Sequence, residues 1–146
     1  MIIPDLGGTP FRAIILSEKH QVWTLVSATR YPRLIENNWN ISWGSRTRWQ
    51  LYAKRNVGTD RATVRMHREI MQEIEPKPEL IAAALFVDHG NGQTLDNTDD
   101  NLSWATPAQN HANKRARILI PTLDQIVASW RQHHATETRV FEDAPF

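Results

Sequence analysis

Three short runs of the chain alternate apolar and polar residues with a period of two, and turn-forming residues separate each run from the next. The runs are 39–43, 49–53 and 62–66, and the connections between them contain Gly44, Asn56 and Gly58. Such alternation is typical of strands that bury one face, and short polar connections join antiparallel neighbours. The sequence therefore predicts a three-stranded antiparallel sheet in this part of the chain.

Apolar runs are short, and the longest covers the eight residues 80–87, which is too few to cross a bilayer. The N-terminal residues lack the basic start and long apolar core of a signal peptide. The 146-residue chain has no cysteine, which excludes disulfides and cysteine-based zinc sites. We therefore expect a cytoplasmic, intracellular protein that makes no membrane contact.

Basic residues are concentrated in the first half of the chain. Residues 1–68 contain eleven Lys and Arg and four acidic residues, a net charge of +7, whereas residues 69–146 have a net charge of −6. This asymmetry indicates a polyanionic partner such as nucleic acid. The alternative is that the basic residues lie on a solvated surface and contact no partner.

Three tryptophans, Trp39, Trp43 and Trp49, fall within eleven residues of the predicted sheet. They could stack on nucleic-acid bases, or they could form the core between the sheet and a helix. All three share a parity with apolar neighbours, which favours the core.

The segment 87–117 carries the residues with the clearest chemistry. An apolar strand ends at Asp88 and His89, and Gly90-Asn91-Gly92 forms a turn. An asparagine-rich loop follows, then a short strand at 102–105, and Thr106-Pro107 provides a cap and first residue for a helix that we expect to end near Arg117. The predicted order is strand, loop, strand and helix.

This segment resembles the HNH, or ββα-metal, nuclease motif. The resemblance rests on Asp88-His89, the Asn-Gly turn, Leu95-Asp96-Asn97, Asn101-Leu102, Thr106-Pro107 and Gln109-Asn110, in the family's order and approximate spacing. Upstream, residues 52–56 and 64–71 are similar to phage-type HNH homing endonucleases, in which a sheet like the plant ethylene-response-factor DNA-binding domain precedes the nuclease motif.

The expected fold class is α+β, with a three-stranded antiparallel sheet and a short helix followed by the ββα-metal motif and a C-terminal amphipathic helix. The expected divisions are a leader (1–19), a basic sheet lobe (20–75), a nuclease lobe (80–117) and a C-terminal helix with a tail (118–146).

The resemblance implies a role for four residues of the motif. Asp88 and Asn110 correspond to the metal ligands, and His89 corresponds to the general base, a role that suits an imidazole near neutral pH. Asn101 corresponds to the middle Asn, which would hold the loop so that His89 is aimed correctly. Two oxygen ligands suit Mg²⁺ or Mn²⁺.

Other residues of the motif have less specific interpretations. We interpret Asn97 as a loop residue and His67 as a packing or capping residue. The acidic stretch Thr98-Asp99-Asp100 departs from the family's pattern, and it would either repel DNA or help to hold the metal.

Duplex DNA is the expected partner, and basic or polar residues on two elements are the candidates for contacting it. Those of the sheet lobe are Arg46, Arg48, Lys54, Arg55 and Arg65, and those of the motif's helix are Asn113, Lys114 and Arg117. The alternative for the helix residues is a solvated basic helix end that the helix dipole favours.

The C-terminal segment contains Leu123, Ile126, Val127 and Trp130 at the spacing of one helix face. The sequence leaves three roles open for this helix: packing within the chain, pairing two subunits into a dimer, or extending the DNA contact. Residues 135–146 are expected to form a loose tail.

The sequence thus predicts a metal-dependent HNH endonuclease of homing or phage type that cuts or nicks duplex DNA. The alternatives are a sequence-specific DNA-binding protein without cleavage activity and an RNA-directed nuclease.

Overall fold

The computed structural model describes residues 6–43, 51–76, 85–106 and 120–142, with the side chains of residue 43 and of residues 135–142 excepted. It has the α+β class that the sequence predicts. The strands are β1 (Phe11–Ser17), β2 (Val22–Ser27), β3 (Asn40–Trp43), β4 (Leu51–Val57), β5 (Ala62–Arg65), β6 (Phe86–His89), β7 (Asp96–Asn97) and β8 (Leu102–Ala105). The helices are α1 (Tyr31–Leu34), α2 (Met66–Ile74) and α3 (Leu123–Glu142), and a 3₁₀ turn (Asp99–Asn101) precedes β8.

The first sheet has the order β1-β2-β7, and its strands come from three of the predicted divisions of the chain. Residues 11–17, predicted as part of a leader, form β1 and pair antiparallel with β2. β2 was predicted as part of the basic sheet lobe, but its second neighbour is β7, which lies inside the motif segment and pairs with it in parallel. Val22–Val26 are all buried, because this strand is covered on both faces.

The second sheet has the order β3-β4-β5 and is the antiparallel meander that the period-two runs predict. Its inner face contains Leu51 and Ala53, which are both buried. Trp39, just before β3, is also buried, and its indole nitrogen donates to the carbonyl oxygen of Leu34 at 2.8 Å. Its place in the core agrees with the prediction, whereas Trp49 and the side chain of Trp43 lie outside the described residues.

The third sheet pairs β6 with β8 in antiparallel register. The connection from β6 to β8 contains β7, which belongs to the first sheet, and then the 3₁₀ turn. This connection therefore links the third sheet to the first. The strand–loop–strand part of the predicted order is therefore present. The predicted helix at 107–117 lies outside the described residues.

Helix α3 begins with a capping box. The backbone N–H of Gln125 donates to the Thr122 hydroxyl at 3.2 Å, and the Thr122 N–H donates to the Gln125 side chain at 2.8 Å. The helix continues to Glu142, so much of the tail predicted at 135–146 is helical. Within the described part of the chain, no helix is long and apolar enough to span a membrane.

The first half of α3 packs on the same core as the three sheets. Ile126 is fully buried, and the Trp130 ring meets the Phe11 ring edge-on with their centroids 4.7 Å apart. Of the roles that the sequence left open for this segment, packing within the chain accounts for these buried residues.

Ile126→Ala is expected to lower the free energy of unfolding by about 2–5 kcal/mol, because it removes a fully buried side chain and leaves a cavity. Chemical denaturation of the full chain measures this loss. Ile35→Ala is the matched control, since Ile35 is 50% exposed and the same truncation there should cost less than about 1 kcal/mol. Equal losses from the two variants would contradict the docking of α3 on the core.

Candidate functional site

Strand β6 carries Asp88 and His89 to the edge of the third sheet. Asp88 pairs with Ser103 and His89 pairs with Leu102 across the β6–β8 ladder. The chain turns immediately afterwards, with the Gly92 N–H donating to the His89 carbonyl oxygen at 2.8 Å. Both side chains are buried, at 4% exposure for Asp88 and 5% for His89, although neighbouring positions of a strand point to opposite faces.

The imidazole of His89 contacts a residue that the sequence analysis interpreted only as loop structure. His89 Nε2 lies 2.9 Å from Asn97 Oδ1, and Asn97 Nδ2 donates to the Thr24 hydroxyl at 2.9 Å. The Thr24 hydroxyl donates in turn to the carbonyl oxygen of Leu95 at 2.8 Å. A buried chain of polar groups therefore joins β2 of the first sheet to His89 of the third.

Asn101 holds the loop that follows His89. Its side-chain oxygen accepts from the Asn91 N–H at 2.9 Å, and its side-chain nitrogen donates to the Asp96 carbonyl oxygen at 2.8 Å. Its own carbonyl oxygen accepts from the Gly90 N–H at 2.8 Å. These bonds connect Asn101 to the turn at 90–91 and to Asp96, so they hold the loop that follows His89.

Asp96 is a buried carboxyl group at the centre of this loop. It accepts from the Thr98 hydroxyl at 2.7 Å, from the Thr98 N–H at 3.2 Å and from the Asn91 side chain at 2.8 Å. Burial raises the pKa of Asp96 above its ordinary value, and the hydrogen bonds from Thr98 and Asn91 oppose that rise. Asp96 therefore acts as an acceptor that organises the loop.

Two aromatic groups from the basic sheet lobe surround His89. The His67 ring at the start of α2 meets the His89 ring nearly perpendicularly, with their centroids 5.3 Å apart. The Tyr52 ring lies 5.3 Å from the His67 ring and 6.3 Å from the His89 ring. The candidate site therefore lies at the junction of the second and third sheets.

His67 is buried, and among the described residues its Nδ1 atom has no hydrogen-bond partner. Burial lowers the pKa of His67 well below its ordinary value, and the nearby groups His89, Arg65 and Arg68 lower it further, since a charge on His67 would be repelled by any positive charge on them. His67 is accordingly a neutral packing group, which agrees with the packing role inferred from the sequence.

The outer face of the second sheet is polar and basic. Lys54 lies between Asn40 and Arg65 in register across the three strands. The Arg65 guanidinium lies 5.5 Å from the centre of the Tyr52 ring and donates to the Ser42 hydroxyl at 3.0 Å. This outer face, defined by Asn40, Ser42, Tyr52, Lys54 and Arg65, leads through Tyr52 to His89.

Arg55 was predicted to contact DNA, but it lies on the inner face of the sheet. Its guanidinium is 2.7 Å from Glu69 of α2 and 5.6 Å from the centre of the Trp39 ring. Arg55 shares the parity of Leu51 and Ala53, which are buried, so its side chain points away from Lys54. Arg55 therefore pairs within the chain on the face opposite to Lys54, and its predicted contact with DNA stays a prediction that this placement does not favour.

The acidic loop residues Asp99 and Asp100 have side-chain partners within the chain. Arg30 contacts Asp99 at 2.6 Å and Glu73 at 2.9 Å, and the bond to Asp99 is the main reason that the pKa of Arg30 is raised. Asp100 lies 3.4 Å from His134 Nε2 on α3. The pairing of Asp99 with Arg30 lowers the negative charge that this loop presents to a polyanion.

One of the two predicted metal ligands can be located. The Asp88 carboxylate stands at the end of β6, and Asn110 lies outside the described residues. In the described ranges, no three His, Cys, Asp or Glu side chains converge on a common point. A carboxylate and an amide oxygen are hard donors, and this donor set fits Mg²⁺ or Mn²⁺. Five predicted DNA contacts also lie outside the described residues: Arg46, Arg48, Asn113, Lys114 and Arg117.

No protein-family model matches the chain, and neither curated proteins nor solved structures yield a match.

Stability is expected to fall as the pH is lowered from 7.5 to 5.5. Unfolded His67 takes up a proton below about pH 6.5, whereas folded His67 stays neutral because its pKa is lowered. Below that pH, uptake of this proton by the unfolded chain lowers the free energy of unfolding by up to about 1.4 kcal/mol for each pH unit. His67→Phe keeps a ring at this position and should lessen the fall, as measured by urea unfolding at both pH values. His20→Gln, at an exposed turn, is the control and should keep the wild-type dependence. An unchanged pH dependence in His67→Phe would remove His67 from the explanation.

Proposed function

We propose that the chain is an intracellular, metal-dependent endonuclease of the HNH type that hydrolyses phosphodiester bonds in duplex DNA. One observation carries the proposal: Asp88 and His89 are adjacent at the end of a strand, the loop that follows them is held by amide side chains, and a basic sheet face lies next to them. A strand end held in this way suits a general base, because the rigid scaffold determines where the imidazole points.

His89 is proposed to act as the general base. A water molecule attacks the phosphorus, its proton passes to His89, and the bond between the phosphorus and the 3′ oxygen breaks. The electron pair of that bond leaves with the 3′ oxygen, which takes up a proton from solvent. Asn101 contributes by holding the loop, through its bonds to Asn91 and Asp96, and it touches no reacting atom.

Asp88 and Asn110 are the residues proposed to hold the divalent ion. A bound Mg²⁺ or Mn²⁺ would supply positive charge to the phosphate and to the departing oxygen. Asp88 contributes the only formal charge of this pair, so its loss is expected to weaken metal binding more than the loss of Asn110.

The outer face of the second sheet is proposed to bind the DNA backbone near the site. Lys54 and Arg65 lie on neighbouring strands, and Arg65 is exposed. Tyr52 lies between Arg65 and His89 at 5.5 Å and 6.3 Å respectively. Phosphates bound along this face would therefore continue towards the imidazole.

The second candidate is a DNA-binding protein without cleavage activity. The burial of Asp88 and His89, at 4% and 5% exposure, favours it because a water molecule and a phosphate must reach these groups for cleavage. The basic outer face would serve such a protein equally well. The two candidates differ in whether DNA is cut when a divalent ion is supplied.

His89→Ala is expected to lower the rate of plasmid cleavage by roughly 10²- to 10⁴-fold, the usual contribution of a positioned general base. The assay follows supercoiled plasmid with Mg²⁺, Mn²⁺ or EDTA and scores nicked and linear forms. Asp88→Ala should abolish the metal-supported rate, and Asn110→Ala should lower it less. All three variants should bind DNA nearly as the wild type does.

His20→Ala is the matched control, since His20 is exposed in the β1–β2 turn, and it should cut at the wild-type rate. Wild-type protein that binds the plasmid but leaves it supercoiled with either metal would favour the second candidate. Full activity in EDTA would contradict the metal requirement.

Lys54→Ala and Arg65→Ala are each expected to weaken DNA binding, because each removes one cation that neutralises a phosphate. The slope of log affinity against log salt should fall by about 0.9 for each phosphate that is no longer neutralised, and fluorescence anisotropy over a salt series measures it. Lys19→Ala, an exposed cation outside this sheet, should leave the slope unchanged. Arg55→Ala should lower stability and leave the slope unchanged, because Arg55 is paired with Glu69 on the inner face. Equal slopes for the wild type and Arg65→Ala would exclude this face as the DNA-binding surface.

A further inference from the structure

We propose that Thr24 of β2, acting through Asn97, is a positioning residue that fixes the tautomer of His89. It places the ring hydrogen on Nε2 and leaves the ring lone pair on Nδ1. The inference rests on the proposed function only where it treats His89 as the base. The assignment of the tautomer follows from hydrogen bonding and is independent of the reaction.

The argument begins with the Thr24 hydroxyl, which has one hydrogen to give. That hydrogen is committed to the Leu95 carbonyl oxygen, 2.8 Å away. The hydroxyl can therefore offer only a lone pair to Asn97, and the group that faces it must be a donor.

The side-chain amide of Asn97 is oriented by this requirement. Its Nδ2 donates one hydrogen to Thr24 at 2.9 Å, and the same nitrogen lies 3.7 Å from the sulfur of Met66. Both neighbours of Nδ2 are acceptors, so Oδ1 is left to face His89 Nε2 at 2.9 Å. An amide oxygen can only accept, and Nε2 must carry the hydrogen.

The reversed amide would lose these matches. Oδ1 would then face the sulfur of Met66, lone pair to lone pair. It would also compete with the Leu95 carbonyl oxygen for the single hydrogen of Thr24. Thr24 and Asn97 are fully buried, so no water is available to compensate. The orientation of the amide is therefore held by the protein alone.

Thr24 reaches this position through the pairing of two distant strands. β2 and β7 pair in parallel, with Leu25 opposite Asp96 and Val26 opposite Asn97. Thr24 is 73 residues away from Asn97 in the chain. The atom of His89 that can accept a proton is thus selected by a residue outside the motif segment.

The tautomer can be measured directly by NMR of the full chain carrying ¹⁵N-labelled histidine. Spectra are recorded up to a pH above which the His89 shifts no longer change, where the neutral ring gives distinct shifts for a protonated and an unprotonated nitrogen. The His89 signals are assigned by their loss in His89→Gln. We expect a protonated Nε2 and an unprotonated Nδ1 in the wild type. A protonated Nδ1 and an unprotonated Nε2 in the wild type would overturn the proposal, and this outcome does not depend on any variant.

Thr24→Val removes the hydroxyl at nearly constant shape and leaves Asn97 without the acceptor that orients it. Both amide orientations should then be populated, and the two nitrogen shifts of His89 should move towards each other. Thr24→Ser keeps the hydroxyl and should restore the wild-type shifts. Thr24→Ala is measured in place of Thr24→Val if the latter does not fold, as judged by circular dichroism. Unchanged His89 shifts in a folded variant without the hydroxyl would overturn the role of Thr24.

The cleavage assay provides the second readout. Asn97→Ala should lower kcat by roughly 10- to 100-fold and leave the KM for DNA unchanged, as expected for loss of a residue that orients another. A wild type with the expected tautomer that cuts no DNA would contradict the nuclease and leave the tautomer assignment standing. A wild type that cuts DNA with the hydrogen on Nδ1 would contradict the inference and leave the nuclease standing.

Discussion

The burial of five polar residues in the loop 94–101 is the constraint on which the rest of the structure depends; they are Thr94, Asp96, Asn97, Thr98 and Asn101. Polar groups that lose water must find partners in the protein, or each costs stability. These residues have partners in or next to all three sheets. Thr94 donates to the Leu51 carbonyl oxygen of the second sheet at 2.6 Å, and Asn97 donates to Thr24 of the first sheet. Asn101 accepts a hydrogen bond from the turn that follows His89 of the third sheet. Each sheet therefore supplies part of the environment that holds the loop in place.

This arrangement places the basic outer face of the second sheet next to the buried imidazole of His89. The outer face of the second sheet ends at Tyr52, whose ring adjoins the rings of His67 and His89. Arg55, one position beyond Lys54, is turned inward and paired with Glu69. Lys54 lies on the outer face and Arg55 on the inner face because successive side chains of a strand point to opposite faces.

Local patterns in the sequence predicted the elements whose signals are local. Period-two alternation predicted β3, β4 and β5, and turn residues after an apolar run predicted β6, its turn and β8. The same alternation could have identified Arg55 as inward, because it shares the parity of Leu51 and Ala53. β1 was missed because its apolar residues are nearly continuous and do not alternate. The β2–β7 pairing and the contact of Asn97 with His89 depend on strands far apart in sequence, which no local pattern specifies.

The parallel pairing of β2 with the two-residue β7 determines whether the motif segment can keep its arrangement apart from the rest of the chain. A fragment of residues 85–106 would keep Asp88, His89, Asn97 and Asn101, together with the turn between them. It would lose the β2 neighbour of Asn97, and the Leu95 carbonyl oxygen would lose both the Leu25 N–H and the Thr24 hydroxyl. Grafting that fragment onto another scaffold would transfer the residues without their alignment. The smallest transplantable unit begins at β1, because β2 needs an antiparallel partner on its other edge.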